Sequence, residues 1–295
     1  MRVLIAGCGY VGSALAARLV VAGHEVHGLR RNVDALPTGV RGVAADLTDR
    51  STLTQLPTVD ALVYCAAANG RSEASYEAAY VRGVENVLDA LGDAPLARAV
   101  FTSSTAVYAQ DDGSDVDEGS PTEPSGFSGR ILLRAERRFL ERTRDAGVVL
   151  RLAGIYGPTR TRLVRTVAEG DAEEPPATRL SNRIHVEDCA GVLEHLLTLP
   201  DPAPMYVGVD DDPAPLRDVM AFIAARVGAA WPPAAAPTAA TPSRAAEEHT
   251  SVTRRTAGNN KRCRNDLLRA SGYAFAYPSF RDGYPDICAA YLNGR

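Results

Sequence analysis

The sequence predicts an α/β fold, a doubly wound parallel sheet with a smaller C-terminal α/β lobe that binds the substrate. Three observations support this prediction. Short apolar runs alternate with helical patterns along the first half of the chain, which is typical of parallel strands joined by crossover helices. A glycine-rich segment follows the first apolar run directly. The chain has 295 residues, enough for one large domain or two modest ones.

The N-terminal half supplies most of the expected sheet. The first apolar run, residues 3–6, has the short, continuous character of a buried parallel strand. A helix follows, in which Val11, Leu15 and Leu19 recur every four residues, and Gly23 ends it. Further strands are expected at 25–29, 40–45, 61–65, 99–102 and 148–152, and further helices at about 75–91 and 129–146.

The pattern weakens after Gly157, and this change suggests how the chain is divided. Helices are expected at about 187–199 and 216–227, with a strand at 205–209 between them. We assign residues 1–156 plus about 183–209 to the sheet-containing core. Residues 157–182 plus 210–295 are assigned to the substrate-binding lobe. Residues of about 229–245 are rich in Ala, Pro and Thr, which is typical of a flexible loop.

The composition excludes several classes of function. The net charge is −4 and the pI about 5.8, which argues against general nucleic-acid binding because that needs a basic surface. No apolar run approaches the roughly 18–20 residues that span a bilayer, and the N-terminus lacks a signal-peptide pattern. We therefore expect a cytoplasmic protein that does not bind membranes. Five widely spaced cysteines favour reduced thiols over a disulfide framework or a metal site.

The segment Gly7-Cys8-Gly9-Tyr10-Val11-Gly12 matches the G-x-G-x-x-G pattern of a Rossmann dinucleotide-binding fold. Gly7 permits the tight turn after the strand, and Gly9 lets the backbone approach a pyrophosphate. Gly12 lets the helix pack closely on the sheet. The helix that opens at Tyr10 and Val11 then offers unpaired N–H groups to the phosphates.

The end of the second strand indicates which dinucleotide to expect. The residue that binds the ribose 2′-hydroxyl of NAD is acidic and lies about 20 positions after the glycine loop. This sequence has Arg30 and Arg31 there, and a guanidinium attracts the 2′-phosphate of NADP. Asp34 follows a few residues later and is a less natural match. We expect NADP(H) as the cofactor; the alternative is that both arginines are solvated surface residues.

Further segments follow the glycine loop in a characteristic order. They are Asp46-Leu47-Thr48-Asp49, Ala66-Ala67-Ala68, Asn86, Ser103-Ser104-Thr105-Ala106-Val107-Tyr108, residues 151–158 and Asn182-Arg183-Ile184-His185-Val186-Glu187-Asp188. Together they resemble the extended short-chain dehydrogenase/reductase superfamily over nearly the whole chain. The resemblance implies an adenine contact at Asp46 and Leu47, and a cofactor-lining loop at Ala66, Ala67 and Ala68. It also implies that Ser104 is the active-site serine and that Ser103 lies beside the cofactor.

One departure from this superfamily concerns its catalytic Tyr-x-x-x-Lys dyad. The tyrosine position falls on Ser128 and the lysine position on Leu132. No tyrosine occurs between Tyr108 and Tyr156, and no lysine precedes Lys261. Leu132 also has the helical spacing of a core residue. The sequence is therefore similar to an atypical branch that lacks the usual dyad.

Six residues remain as candidates for proton transfer or for holding the substrate oxygen. Ser104 is the first choice, as a hydrogen-bond donor to that oxygen. His185 has a pKa suited to proton transfer, although the corresponding histidine of the superfamily usually supports structure or substrate binding. The remaining candidates, for which packing or solvent exposure is the alternative, are Tyr108, Tyr156, Ser128 and Arg130.

The resemblance implies an NADP(H)-dependent oxidoreductase of the atypical type that acts on a small organic metabolite. One alternative is a non-oxidative enzyme on the same scaffold, such as an isomerase, cyclase or dehydratase. Another is a catalytically silent NADP(H)-binding sensor or partner protein. A homodimer through the helices near 75–91 and 129–146 is a further family expectation. Three arginines follow Gly157, namely Arg160, Arg162 and Arg165. They could hold an anion at the mouth of the substrate site, or they could form a solvated helix face.

Overall fold

The computed structural model describes residues 1–233 and 260–294, and its centre is a seven-stranded parallel sheet. The sheet strands are β1 (Arg2–Ala6), β2 (Glu25–Arg30), β3 (Arg41–Ala44), β4 (Ala61–Tyr64), β5 (Arg98–Ser104), β7 (Gly147–Leu152) and β11 (Met205–Gly208). Shorter strands pair outside it: β6 (Asp115–Val116), β8 (Gly154–Tyr156), β9 (Leu180–Ser181), β10 (Arg183–His185), β12 (Ala214–Pro215) and β13 (Arg262–Cys263). The order across the sheet is β11-β7-β5-β4-β1-β2-β3, which confirms the predicted doubly wound α/β fold.

The described residues also form helices beside this sheet. They are α1 (Tyr10–Val21), α2 (Glu73–Tyr76), α3 (Gly83–Leu91), α4 (Phe127–Thr143), α5 (Arg162–Ala168), α6 (Val186–Thr198), α7 (Leu216–Val227), α8 (Asp266–Ala270) and α9 (Phe280–Asn293). Helices α1 and α6 pack on one face, and α3 and α4 pack on the other. No helix within residues 1–233 and 260–294 is long and apolar enough to cross a membrane.

Strand β1 explains how the sheet divides the core in two. Val3 and Ile5 belong to the hydrophobic cluster under α1 and α6, whereas Leu4 and Ala6 belong to the cluster under α3 and α4. Successive side chains of a strand point to opposite faces, and all four are fully buried. A continuous apolar run is therefore what a strand with helices on both sides requires.

A third hydrophobic cluster lies among α5, α7 and α9 and includes Val164, Ile223 and Ile287. It is formed by residues that the sequence assigns to the substrate-binding lobe, with Tyr156 at its border. The exact division at 1–156 plus 183–209 stays a prediction. Most of the loop expected at 229–245 lies outside the described residues.

The segment 111–118, which is rich in Asp and Glu, lies at the β11 edge of the sheet. Part of this segment forms β6, which pairs in parallel with β13. Two residues beyond β6, the Glu118 carboxylate accepts a hydrogen bond from the backbone N–H of Val207, at 2.7 Å. The acid therefore satisfies an edge N–H group that no strand pairs.

The helix expected at 75–91 is interrupted. Between α2 and α3 the chain forms a wider π-helical turn over Glu77–Arg82. The hydroxyl of Tyr64, which is buried, donates to the carbonyl oxygen of Ala79 in this turn. A Cβ at Gly83 would lie 2.4 Å from that hydroxyl oxygen, so the glycine is needed for the approach.

The buried carboxylate of Asp188 holds part of the C-terminal segment, residues 273–277, to the core. Asp188 on α6 is fully buried. It accepts hydrogen bonds from the Tyr273 hydroxyl at 2.9 Å and from the backbone N–H groups of Ala276 and Tyr277 at 2.8 and 2.9 Å. This aspartate belongs to the segment 182–188 that the sequence singled out, and it has a structural part in holding the tail.

We expect the replacement Asp188→Ala to lower the free energy of unfolding by about 2–4 kcal/mol, because it leaves buried donors without an acceptor. Equilibrium urea denaturation measures this change. The neighbouring Glu187 is exposed, and Glu187→Ala serves as the control, with an expected change below about 0.5 kcal/mol. Equal effects of the two variants would show that the carboxylate does not hold the tail.

Candidate functional site

A cleft of about 890 Å³ opens where β1, β2, β4 and β5 end. Ligands of open parallel sheets bind at this edge. The cleft brings together most of the residues that the sequence assigned to the cofactor. Those that line it are Gly7, Gly9, Tyr10, Val11, Arg30, Arg31, Asp46, Leu47, Ala66, Ala67 and Ser103.

The three glycines have distinct environments in the loop. Gly7 has a φ of +87°, and a Cβ there would lie 2.4 Å from the Ala66 Cα, so it permits both the turn and the contact with the next loop. A Cβ at Gly12 would meet the carbonyl oxygen of Gly7 at 2.9 Å, so this glycine is needed for packing. A Cβ at Gly9 would meet nothing closer than 3.9 Å and would fill part of the cleft.

Helix α1 begins at this loop with its first turn free of acidic side chains. Its N-cap is Gly9, and no side chain caps the helix. The backbone N–H groups of Tyr10 and Val11 therefore lie at the positive end of the helix dipole, beside the cleft. This arrangement suits a pyrophosphate, and the space left by Gly9 is where one would fit.

The far end of the cleft carries two arginines. The Arg30 guanidinium donates to the carbonyl oxygens of Cys8 and Ala35, at 3.2 and 3.4 Å, and so braces the glycine loop. Arg31 is exposed on the rim. Asp34, the acidic alternative, is exposed and does not line the cleft.

The segment after β3 completes this end. Hydrogen bonds from the backbone and hydroxyl of Thr48 hold the pKa of the Asp46 carboxyl below its usual value. The side-chain amide of Asn86 donates to the carbonyl oxygen of Leu47, at 3.0 Å. Asn86 therefore positions the segment expected to contact the adenine.

Ser104 ends β5 and lines the cleft. Its hydroxyl oxygen accepts a hydrogen bond from the backbone N–H of Ala106, at 3.2 Å. The same hydroxyl keeps its own proton available for donation, because a hydroxyl has one donor and two acceptor positions. A Cβ at Gly129 would lie 2.6 Å from the Ala106 carbonyl oxygen, so the start of α4 packs tightly against the segment that follows Ser104, which we call the serine loop.

A buried ion pair contacts Ser103, the residue that precedes Ser104. Arg151 on β7 donates to the Glu136 carboxylate of α4 through Nε and Nη2, at 3.1 and 2.7 Å. The Ser103 hydroxyl donates to the same carboxylate at 2.5 Å, and Arg151 Nη1 donates to the Tyr108 hydroxyl at 2.9 Å. Both charged side chains are nearly inaccessible to solvent. Sequence reasoning missed this network.

Three predicted candidates do not line the cleft. The hydroxyl of Tyr108 is held by Arg151, and burial raises the pKa of Tyr108 to about 12. The hydroxyl of Tyr156 donates to the carbonyl oxygen of Ser279, at 3.3 Å, and its ring stacks on another tyrosine of the C-terminal segment. Both tyrosines are therefore engaged in packing rather than directed at the cleft.

The third of these candidates is His185. Its Nδ1 accepts a hydrogen bond from the backbone N–H of Glu187 and caps α6. Its ring lies between those of Tyr156 and Tyr277, with centroids 5.1 and 3.8 Å away. Burial lowers the pKa of His185. This histidine is thus placed to support the fold.

The residues at the missing dyad also lie outside the cleft lining. Ser128 is half-buried in the first turn of α4, and Arg130 is exposed, with its guanidinium bonded to the carbonyl oxygen of Ser125. Leu132 is buried in the core under α4, which confirms its predicted core position. Lys261 is buried and donates to the carbonyl oxygen of Tyr108, at 3.0 Å.

Arg160 and Tyr80 are also among the residues that line the cleft. Arg160 is the one of the three arginines after Gly157 that reaches it, and its guanidinium lies 4.7 Å from the centre of the Tyr10 ring. Tyr80, in the π-helical turn, also lines the cleft. Sequence reasoning missed Tyr80, because a regular helix does not predict which residue a widened turn presents. Among the described residues, no group of three or more His, Cys, Asp or Glu side chains is placed to hold a metal ion.

Comparison with known proteins supports this arrangement. Residues 3–207 match the NAD dependent epimerase/dehydratase family. The chain is 30% identical over 214 residues to protein YeeZ of Escherichia coli (strain K12), covering 70% of this chain and 76% of YeeZ. It is 28% identical over 256 residues to the 2-alkyl-3-oxoalkanoate reductase of Stenotrophomonas maltophilia, covering 78% and 76%.

A solved structure agrees over almost the full length. The putative NAD-dependent epimerase/dehydratase of Methylobacillus flagellatus superposes with a TM-score of 0.79 at 36% identity, covering 99% of this chain and 98% of that one. The match therefore includes the C-terminal helices as well as the sheet. The chain belongs to the NAD dependent epimerase/dehydratase family, within the extended short-chain dehydrogenase/reductase superfamily.

Proposed function

We propose that this chain is an NADP(H)-dependent oxidoreductase of the atypical short-chain dehydrogenase/reductase type, acting on a small organic metabolite. One observation carries the cofactor choice. The end of the cleft at β2 presents Arg30 and Arg31, whereas Asp34 stays outside the cleft lining. Guanidinium groups attract the doubly charged 2′-phosphate of NADP. The ribose 2′-hydroxyl of NAD is instead bound by a carboxylate, and the end of β2 places no carboxylate in the cleft lining.

The described residues fit such a dinucleotide along the whole cleft. Gly9 leaves room for the pyrophosphate beside the N-terminus of α1. The loop of Ala66 and Ala67, which lines the middle of the cleft, offers small side chains beside the nicotinamide half. When bound, the cofactor supplies or accepts the hydride, and the protein supplies binding and orientation.

Arg160 adds charge to the pyrophosphate end. It comes from the loop that leads into α5, yet its guanidinium lies over the ring of Tyr10 in the glycine loop. A Cβ at Gly157 would lie 2.4 Å from the Tyr10 hydroxyl oxygen, so a glycine is required for this approach. Arg160 is accordingly our candidate for a second contact to the dinucleotide phosphates.

Ser104 is our candidate for holding the substrate oxygen. Its hydroxyl lines the cleft, and the hydrogen bond from Ala106 fixes its oxygen while its proton stays available. An aliphatic hydroxyl is too weak an acid to supply a proton itself. Ser104 therefore orients and polarises the oxygen, and the proton comes from another group.

A non-oxidative reaction is the second candidate function. It is favoured by the family match, whose description includes epimerases and dehydratases, and by the absence of the Tyr-x-x-x-Lys dyad from the sequence. The amount of NADPH consumed per product separates the two. An oxidoreductase consumes one equivalent, whereas an epimerase or dehydratase shows no net consumption. A cytoplasmic location and a homodimer stay predictions.

We expect the replacement Arg31→Ala to weaken NADPH binding about 20-fold, because a charge-assisted contact to the 2′-phosphate is lost. NADH binding should change less than about twofold, since NADH has no such phosphate. Isothermal titration calorimetry of both nucleotides measures this difference. Arg82→Ala, at an exposed arginine outside the cleft, is the matched control. Wild-type protein that prefers NADH would contradict the NADP(H) assignment.

We expect the replacement Ser104→Ala to lower kcat about 100-fold, because the substrate oxygen loses its positioned hydrogen bond. NADPH affinity should stay within about twofold, which shows that the cofactor cleft is intact. Turnover is followed as NADPH oxidation with whichever aldehyde or ketone of a broad panel the wild-type protein reduces fastest. Unchanged turnover would remove Ser104 from the reaction.

A further inference from the structure

The tyrosines that line the cleft belong to different elements of the fold. Of the tyrosines in residues 1–233 and 260–294, Tyr10 and Tyr80 line the cleft. Tyr10 belongs to the glycine loop at β1 and lies beneath the Arg160 guanidinium. Tyr80 instead belongs to the crossover that joins β4 to β5, the strand that ends at Ser104. Tyr80 is therefore the cleft-lining phenol of the crossover that leads to the Ser104 strand.

The π-helical turn sets the position of Tyr80. The turn presents three consecutive residues, Ala78 to Tyr80, to the cleft. It is held by the buried Tyr64 hydroxyl, which donates to the carbonyl oxygen of Ala79. Turns of this kind inside helices are frequent at functional sites. The sequence of the turn and its anchor thus place a phenol in the cleft lining, next to Ala78 and Ala79.

Aromatic packing connects Tyr80 to the place of the missing dyad. Its ring lies 5.3 Å from that of Tyr76, and the Tyr76 ring lies 5.5 Å from that of Phe127 in an edge-to-face contact. Phe127 is the first residue of α4 and adjoins Ser128, the position where the superfamily's tyrosine is expected. The ring of Tyr80 is therefore linked to the start of α4 through one intervening ring, that of Tyr76.

We propose that the Tyr80 hydroxyl is the proton donor to the substrate oxygen, in place of the tyrosine that α4 lacks. This inference rests on the proposed oxidoreductase function. In the reducing direction the carbonyl carbon accepts the hydride that NADPH supplies, and the C=O π electrons move to oxygen. That oxygen takes the phenolic proton while Ser104 holds it. The Tyr80 phenolate then regains a proton from water, so NADPH is oxidised and the carbonyl is reduced to an alcohol.

The environment of Tyr80 favours this direction. Burial raises the pKa of Tyr80, Tyr76 raises it further, and the backbone of Ala68 opposes the change. A phenol that stays protonated through neutral pH is an available acid. No lysine lies near it in the sequence to lower its pKa. Carbonyl reduction uses the protonated phenol, whereas alcohol oxidation uses the phenolate, which is scarce at neutral pH when the pKa is raised.

The experiment compares Tyr80→Phe with Tyr76→Phe, which removes a hydroxyl from the same aromatic cluster outside the cleft lining. We expect Tyr80→Phe to lower kcat for carbonyl reduction about 100-fold. Tyr76→Phe should change kcat less than about threefold. Both variants should bind NADPH within about twofold of the wild-type affinity, because the ring and its packing are retained.

A second measurement does not depend on turnover. Binding of NADP⁺ beside a phenol perturbs the ultraviolet absorption of tyrosine. We expect the amplitude of this difference spectrum to be the same in the wild type and in Tyr76→Phe and to fall in Tyr80→Phe, where Tyr10 is the tyrosine that still lines the described cleft. Wild-type protein that binds neither nucleotide would refute the proposed function. Wild-type protein that binds NADPH, with the same spectrum or the same kcat in Tyr80→Phe, would refute the proposal for Tyr80 alone. If no carbonyl of the panel is reduced, an unchanged spectrum in Tyr80→Phe still refutes the proposal, because a proton donor to the substrate oxygen must lie beside the cofactor, and a reduced amplitude supports it.

Discussion

The buried ion pair between Glu136 and Arg151 joins the elements on which the candidate site depends. It connects α4 to β7, and through Ser103 it also holds β5 at the point where Ser104 begins its loop. Two paired charges out of water tolerate little displacement, because removing either partner leaves the other buried and uncompensated at a cost of about 3–5 kcal/mol. The same network occupies the hydroxyl of Tyr108. The position of Ser104 is thus set through Ser103 by Glu136, Arg151 and Tyr108, none of which lines the cleft.

A second constraint is the close approach of backbone segments around the cleft. Gly7 lies against Ala66, and Gly157 lies against Tyr10, at distances that leave no space for a side chain. These contacts bring the glycine loop, the loop after β4 and the loop into α5 to one place. Three separate loops are therefore held together at the cleft, and Arg160 lines the cleft where its guanidinium lies over the ring of Tyr10.

Local patterns in the sequence were sufficient for the sheet and the cofactor cleft, because a buried parallel strand and a glycine loop are recognisable from a few neighbouring residues. Interactions between distant residues were not. Tyr108 and His185 have the chemistry of catalytic groups, and only their partners, Arg151 and the ring of Tyr277, reveal that they pack. The π-helical turn depends on the hydroxyl of Tyr64, which lies on another element, so Tyr80 was overlooked.

The carboxylate of Glu118 has a consequence beyond the site. It occupies a backbone N–H group of β11, the outermost strand of the sheet on that side. An open edge of a parallel sheet is a template on which a strand of another molecule can add. The Glu118 carboxylate opposes such addition in two ways. It already accepts the hydrogen bond of the Val207 N–H, and an added strand would have to remove water from the charged group, which costs free energy. Glu118 thereby favours a sheet that ends within its own molecule over growth into aggregates.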